Sequence, residues 1–146
     1  MAMHAAFPLP DTSWEPLRPY WAAAAEGRLV IPRCDRCGRW SWYPRSACRQ
    51  CRGDAFTWTA VPGQGRLFSW SVVRHPFLPS FKDKVPFVTG LVTIDGVPGI
   101  RLATEVVDCD PHELECDQPV EAVFRALSFP GVDGTVVAPL WRPSPA

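Results

Sequence analysis

The sequence contains Cys34-Asp35-Arg36-Cys37-Gly38 and repeats this pattern as Cys48-Arg49-Gln50-Cys51-Arg52-Gly53. In both copies two residues separate the cysteines, so one tight turn directs both sulfurs at the same ion. Gly38 and Gly53 follow, and glycine adopts the positive φ that such turns require. Four thiolates fill a tetrahedral coordination sphere and leave no position open for water or substrate. The motif therefore predicts a closed, structural zinc site with the ligands Cys34, Cys37, Cys48 and Cys51.

Two other interpretations of these cysteines stay open. Disulfide bonds would suit a secreted chain, but residues 1–11 lack the basic segment and the long apolar run of a secretory signal. A reducing cytoplasm is therefore the expected location, and it favours thiolates. Iron accepts the same four thiolates as zinc does, and the ligand types alone do not separate the two metals.

Composition limits the fold to one ordinary domain, or to one small domain plus a minidomain, in a chain of 146 residues. Apolar residues make up 47% of the chain, which is enough for a core, and no apolar run reaches the length of a membrane span. Seventeen prolines and ten glycines favour short strands joined by turns over a helical bundle.

The formal net charge of zero hides an uneven distribution of charge. Residues 28–52 contain seven arginines against a single acid, Asp35, whereas residues 103–121 contain seven acids and no lysine or arginine. Such a dipolar layout suits docking or the binding of an anionic ligand. Solvated faces on separate subdomains explain it equally well.

The N-terminal part predicts a tail followed by a short helix. Residues 1–13 are rich in small residues and prolines, which predicts a disordered or partner-held tail. Alanines and the position of Gly27 predict a helix over about residues 19–26. Aromatic side chains on and before this helix must bury against the following domain or against another protein, and we expect a partner interface at Trp14, Tyr20 and Trp21.

The rest of the chain predicts strands and turns. Two strands at residues 29–31 and 56–61 flank the cysteine motifs. Five more are predicted at 65–74, 87–95, 100–107, 120–127 and 135–140, with a tight hairpin at Asp95-Gly96 and a possible bend at Gly63 and Gly65. Five strands suit a small, partly open barrel of the OB type. The expected division is a tail and helix (1–30), a zinc ribbon (31–56) and a barrel (57–146).

One combination of motifs resembles a known family. Ala25-Glu26-Gly27-Arg28-Leu29 leads through Pro32-Arg33-Cys34 and Tyr43-Pro44-Arg45 to the second cysteine pair, and the match continues to Trp141-Arg142-Pro143. This order resembles the DUF35 proteins, in which a rubredoxin-like zinc ribbon precedes an OB-fold. The family often has Cys-Pro-x-Cys at the second pair where this chain has Cys48-Arg49-Gln50-Cys51, which keeps the spacing of the sulfurs.

The resemblance implies a function that spacing alone does not show. Proteins similar to this one are small subunits of thiolase-like enzymes, namely steroid side-chain aldolases of the lipid-transfer type, acyl-CoA thiolases and acyltransferases. The thiolase-fold partner carries the catalytic residues, and the small subunit orders the assembly and helps to bind the acyl-CoA of the complex. In several bacteria the module is fused to a MaoC-type hydratase, which is a second possible partner.

The chain itself shows no catalytic motif. It has no nucleophile elbow, phosphate loop or dinucleotide fingerprint. His4, His75 and His112 have no identifiable partner group, so ordinary histidines are expected. Cys109 and Cys116 flank an acidic connector, but a six-residue gap lacks the geometry of a metal knuckle.

Two classes of function therefore remain. The first is the accessory subunit, in which basic side chains contact the CoA phosphates or an acidic partner surface; the candidates are Arg33, Arg36, Arg39, Arg45, Lys82 and Lys84. The second is single-stranded nucleic-acid binding, since zinc ribbons and OB barrels also occur in such proteins. The neutral total charge and the acidic stretch 103–121 oppose the second class.

Overall fold

A short helix precedes two β-sheets in the computed structural model, which describes residues 4–145. A 3₁₀ turn at Glu15–Leu17 leads directly into α1 at Arg18–Ala25. Proline is tolerated in the first turn of α1, and Gly27 with φ of 73° follows the helix. This confirms the predicted helix. No helix within residues 4–145 is long and apolar enough to cross a membrane.

The first sheet has two antiparallel strands and carries the metal motifs. β1 (Val30–Cys34) pairs with β2 (Phe56–Ala60), and the register places Cys34 opposite Phe56. The chain between the two strands contains both cysteine pairs, so the sheet brings the start and the end of this segment together.

The second sheet is a closed five-stranded barrel. Its strands are β3 (Gln64–Val73), β4 (Phe87–Ile94), β5 (Val97–Val106), β6 (Pro119–Leu127) and β7 (Val136–Pro143). Their order around the barrel is β3-β4-β5-β7-β6, and every neighbouring pair is antiparallel except β5 and β7. This is a small Greek-key barrel of the OB type. The predicted mostly-β fold class, with a helix, a ribbon and a five-stranded OB barrel, is confirmed.

Gly65 lies at the tightest approach in the barrel. It pairs with Ile94 of β4 and with Val120 of β6, so it is a point where β3 joins both of its neighbours. A Cβ at this position would lie 1.8 Å from the carbonyl oxygen of Thr93. Only a residue without a side chain allows this approach.

One hydrophobic core extends through the helix, the ribbon and the barrel. It joins Leu17 and Tyr20 of the N-terminal segment to Ile31 of β1 and to barrel residues such as Leu67 and Trp141. Trp40, Trp42 and Trp58 of the ribbon region pack against it. The ribbon is therefore not an independent lobe, because its inner face shares the core of the barrel.

The N-terminal segment is more ordered than the sequence predicted. Residues 5–8 form a turn, the backbone N–H of Leu9 donates to the carbonyl of Ala6 at 2.9 Å, and the Leu9 side chain is buried. Apolar burial therefore holds part of the stretch expected to be a tail. Residues 1–3 of that predicted tail lie outside the described residues.

Candidate metal centre and the basic cleft beside it

The four predicted ligands converge on one point. Their Sγ atoms all lie within 4.8 Å of one another, and the Cys34–Cys51 and Cys37–Cys48 sulfurs are each 3.6 Å apart. A tetrahedron with metal–sulfur bonds of about 2.3 Å has sulfurs about 3.8 Å apart. Disulfide bonds, with sulfurs about 2.05 Å apart, are excluded for these cysteines. The donor set and its spacing fit a tetrahedral metal ion.

The two Cys-x-x-Cys turns, here called the first and second knuckle, reach this geometry with different backbone conformations. In the first, Gly38 has φ of 75° and donates its N–H to the carbonyl of Cys34 at 2.9 Å. In the second, Arg52 has the positive φ, at 63°, and donates to the carbonyl of Cys48 at 3.0 Å. The expectation that Gly53 takes the positive φ is therefore wrong.

Gly53 lets the backbone of the second knuckle come close to the sulfur of Cys51. Its backbone N–H donates to the Sγ of Cys51 at 3.4 Å, and a Cβ would lie 3.3 Å from the same sulfur. The side chain of Arg36 covers the other side, with its Cβ 3.4 Å from that position. A glycine here lets the backbone donate to a ligand sulfur while the two knuckles pack closely.

Backbone N–H groups lower the pKa of two of the cysteines, which favours their thiolate forms. The N–H groups of Cys51 and Gln50 lower the pKa of Cys48 to about 6, and the N–H of Cys37 lowers the pKa of Cys34. At Cys37 the N–H of Arg39 also lowers the pKa, but desolvation and the neighbouring sulfurs raise it to about 11. Four clustered sulfurs cannot all ionise unaided. A divalent cation would compensate their charge, which is what a structural zinc ion supplies.

A small basic cleft lies between the ribbon and the barrel. Its volume is about 60 Å³, and it is lined on the ribbon side by Arg39, Trp40, Ser41, Trp42, Arg45, Cys48 and Arg49. The barrel contributes Gly99 and Ile100 from the start of β5. Because one metal ligand is part of its wall, the cleft and the metal centre are adjacent.

The cleft contains two of the four predicted contact arginines, Arg39 and Arg45. Arg33 instead stacks on the Trp40 ring with its Cζ 4.9 Å from the ring centroid, and its Nε donates to the carbonyl of Gly38 at 2.8 Å. Arg36 packs beside Gly53. Arg49 lines the cleft and was not among the predicted contacts; its place between two cysteine ligands in a basic run was the available signal.

The predicted lysines lie elsewhere. Lys84 places its Nζ 4.6 Å from the ring centroid of Phe129. Burial raises the pKa of Glu105, and the charge of Lys84 opposes that shift. Glu105 is five residues after the cleft residue Ile100 on β5, or about 17 Å along the strand at about 3.4 Å per residue. Lys82 follows a 3₁₀ turn in the same β3–β4 loop, which also exposes Phe77. The structure therefore separates these lysines from the arginine cleft.

The N-terminal aromatics divide into buried and exposed groups. Tyr20 is only 7% exposed, because it packs within the core and against the Trp21 and Trp42 rings at 5.1 and 5.0 Å. Trp14 is 45% exposed and stacks on the exposed ring of Tyr43 at 5.8 Å. Since the burial of Tyr20 within its own chain needs no partner, Trp14 and Tyr43 form the available aromatic patch.

The remaining candidate groups, within the described part of the chain, do not form a second metal-ligating cluster. Among residues 4–145, the four cysteines form the only cluster of three or more metal-ligating groups. Cys109 is half-buried with its Sγ 3.8 Å from the carbonyl of Val106, whereas Cys116 is exposed. The ring of His75 meets Phe77 edge-on at 4.8 Å. His112 is exposed, and its backbone N–H is capped by Asp110 at 2.9 Å.

Comparisons with known proteins agree with this architecture. Residues 21–57 match the family model described as the ChsH2 rubredoxin-like zinc ribbon domain, and residues 58–125 match the ChsH2 C-terminal OB-fold domain. A DUF35 domain-containing scaffold protein of Methanothermobacter thermautotrophicus is 34% identical over 109 residues, covering 74% of this chain and 80% of that protein.

Two further similarities are to proteins with enzyme names. A probable enoyl-CoA hydratase alpha subunit of Thermomonospora curvata is 32% identical over 127 residues, which are 86% of this chain and 36% of that protein. A solved structure titled Ltp2-ChsH2(DUF35) aldolase matches with a TM-score of 0.75 and 28% identity, covering 93% of this chain and 98% of the matched chain. The chain therefore belongs to the DUF35 family of zinc-ribbon and OB-fold proteins.

Proposed function

We propose that the chain is a non-catalytic accessory subunit of a thiolase-fold enzyme and helps to bind that enzyme's acyl-CoA substrate. The enzyme would be a steroid side-chain aldolase, or an acyl-CoA thiolase or acyltransferase. The observation that carries the proposal is the match to the Ltp2-ChsH2(DUF35) aldolase, which extends over 98% of the matched chain at 28% identity. A similarity this complete supports a shared role as well as a shared fold.

The metal chemistry supports a non-catalytic role. With four thiolate ligands, zinc has no open position to activate water or polarise a carbonyl. Its contribution would be to hold the two knuckles together, as in other small ribbons that depend on metal for folding. Reaction chemistry would then belong to the partner.

An exposed aromatic patch supports association with a partner protein. Trp14 and Tyr43 are 45% and 48% exposed and stacked on each other, and aromatic rings of this kind are common at the centres of protein interfaces. The similarity to an enoyl-CoA hydratase subunit supports a hydratase of the MaoC type as a further partner. We place the assembly in the cytoplasm, where reducing conditions keep the cysteines as thiolates.

Co-expression tests the proposed association. With a thiolase-fold protein encoded in the same operon, the chain should elute from size exclusion as a stable complex. Trp14→Ala should weaken that complex at least tenfold, because it removes a central aromatic contact. Phe68→Ala is the matched control, since its ring is also 45% exposed but lies on the barrel. Elution of the chain alone, together with retention of a labelled single-stranded oligonucleotide at physiological salt, would favour nucleic-acid binding instead.

Substitution of Trp14 tests the partner interface more directly than deletion of residues 1–27 does. Deletion of residues 1–27 would remove Leu17 and Tyr20, which belong to the shared core. A truncated chain that fails to assemble would therefore report lost folding as well as a lost interface. Trp14→Ala leaves both core residues in place.

A further inference from the structure

The two-stranded sheet of the ribbon has one covered edge and one open edge. On the β1 side, the backbone N–H of Ser41 donates to the carbonyl of Pro32 at 2.9 Å. The N–H of Cys34 donates to the carbonyl of Arg39 at 2.8 Å, so the segment between the knuckles covers that edge. On the other side, β1 is the only strand within residues 4–145 that pairs with β2 (Phe56–Ala60).

The pairing with β1 determines which backbone groups of β2 point to the open edge. Residue pairs in antiparallel strands alternate between hydrogen-bonded and non-hydrogen-bonded positions. Pro32 has no N–H and its carbonyl accepts from Ser41, so Pro32 and Trp58 form a non-hydrogen-bonded pair. The N–H and the carbonyl of Trp58 therefore point away from β1, and those of Phe56 and Ala60 do so by the same alternation. In the described part of the chain, no turn or loop backbone bonds to these outward groups.

The open edge lacks the features that usually protect a strand edge from pairing. Charged side chains, prolines and bulges are the common protective features. Residues 55–61 contain no charged residue and no proline, and the register of β2 with β1 is continuous. A row of unpaired N–H and carbonyl groups is complementary to another extended backbone. Because β2 has no cation that would recognise an acidic peptide, an uncharged strand is its best match.

We propose that this edge binds the β2 edge of a second copy of the chain, antiparallel about a two-fold axis at Trp58. The outward groups are symmetric about Trp58, so Phe56 pairs with Ala60 of the second copy and Trp58 pairs with its own equivalent. Each of these pairs exchanges two hydrogen bonds. On the other face of the sheet, Thr57 lies opposite Thr59 of the second copy, and threonine pairs of this kind stabilise antiparallel sheets. The product is a four-stranded sheet with closed two-fold symmetry.

The size of the edge predicts the strength of the dimer. A pair of five-residue strands is smaller than the standard protein interface of about 1,600 Å². We therefore expect a weak dimer that forms at chain concentrations of about 10 µM to 1 mM. This dimer does not depend on the proposed function, because it concerns the chain alone.

Sedimentation velocity of the full zinc-loaded chain over that concentration range tests the dimer. Ala60→Pro removes one outward N–H from each copy and no hydrogen bond within the chain. It should therefore weaken dimerisation about tenfold or more. Ala60→Ser keeps the N–H and is the matched control, with dimerisation expected to be unchanged. Zinc content and the unfolding midpoint show whether each variant is folded.

Amide hydrogen exchange of the wild type shows which surface forms the dimer. In the monomer, the amides of Phe56, Trp58 and Ala60 should exchange rapidly, whereas those of Thr57 and Thr59 are protected by their bonds to β1. In the dimer, the three outward amides should become protected as well.

Three results would overturn the proposal: a chain that stays monomeric up to about 1 mM, a dimer that folded Ala60→Pro leaves intact, or outward amides that stay unprotected in the dimer. Protection of these amides only in a complex with a thiolase-fold protein would also overturn it, because the edge would then bind an extended segment of that protein. A dimer of the expected kind in a chain that binds no thiolase-fold protein would support this edge while contradicting the proposed function.

Discussion

Gly65 shows how much a single residue decides in the barrel. Because a Cβ there would lie 1.8 Å from the Thr93 carbonyl oxygen, any side chain forces β3 away from β4. The obstacle is backbone, which does not rotate aside as a side chain does. Replacement of Gly65 would therefore weaken the pairing of β3 with β4.

Gly65→Ala should destabilise the chain by about 3 kcal/mol or more, at the upper end of overpacking costs. Gly96→Ala is the comparison, because Gly96 has φ of 77° with open space around its Cβ position, and it should cost only about 1–2 kcal/mol. Urea denaturation followed by circular dichroism measures both. Equal effects of the two substitutions would contradict the role of close approach at Gly65.

Cys37→Ser should lower the zinc content below one ion per chain and unfold the ribbon, since it removes one of four thiolates. Cys116→Ser is the matched control, because Cys116 is exposed and lies outside the cluster. Metal analysis of the purified variants by mass spectrometry gives the readout and also separates zinc from iron. A full complement of zinc in Cys37→Ser would refute the assignment of four ligands.

At the scale of elements, one seam of the barrel, between β5 and β7, is closed by very few backbone contacts. β5 and β7 share a single residue pair, Val106 with Trp141, and one further hydrogen bond from the Val107 N–H to the Trp141 carbonyl at 2.8 Å. Asp108 reinforces this seam from the end of β5, because its carboxylate pairs with Arg125 of β6 and Arg142 of β7. Side-chain charge thus supports closure where backbone pairing is sparse.

The same ion pairs predict a dependence of stability on pH. Hydrogen bonding from Arg125 holds the pKa of Asp108 below its ordinary value of 3.8. A lowered folded-state pKa stabilises the fold above that ordinary value, and the stabilisation is lost as the pH falls through the folded-state pKa. Asp108→Asn should therefore lower the urea midpoint at pH 7, and its difference from wild type should shrink progressively as the pH falls below 3.8.

Asp133→Asn provides the control for simple loss of charge, because Asp133 lies in the β6–β7 connection and makes no ion pair within residues 4–145. Urea titrations between pH 2 and 7 measure all three proteins. A midpoint difference between Asp108→Asn and wild type that stays constant with pH would show that the carboxylate does not act through its charge.

One hydrophobic core runs through the whole molecule, so the stability of the ribbon and the stability of the barrel depend on each other. Ile31 of β1 is fully buried in the cluster that also contains Trp141 of β7. Loss of the ribbon would expose part of the barrel core, so the two sheets should unfold together.

Removal of zinc with a chelator should therefore destabilise the entire chain, because a bound metal stabilises whatever unfolds with its site. We expect one unfolding transition, shifted to lower temperature, by both calorimetry and near-ultraviolet circular dichroism. Two resolved transitions, with an unchanged barrel melting after chelation, would show that the sheets unfold separately.

Local patterns of residues account for what the sequence could predict. Cysteine spacing predicted which four cysteines the structure brings together, and alternation with turn residues located all five barrel strands and the hairpin at Gly96. These features depend on neighbours along the chain. The burial of Tyr20 and the position of Arg49 depend on how distant segments pack, which one sequence does not report.

The narrow β5–β7 seam and the three residue pairs between β3 and β6 are the two joins between the β3–β4–β5 meander and the β6–β7 hairpin. The connection between them contains His112 and Glu113, both exposed and in no strand. A peptide bond broken there would interrupt no strand pairing within either part. The barrel is thus suited to reconstitution from two fragments, expressed separately and joined by the contacts of Gly65 with Val120 and of Val106 with Trp141.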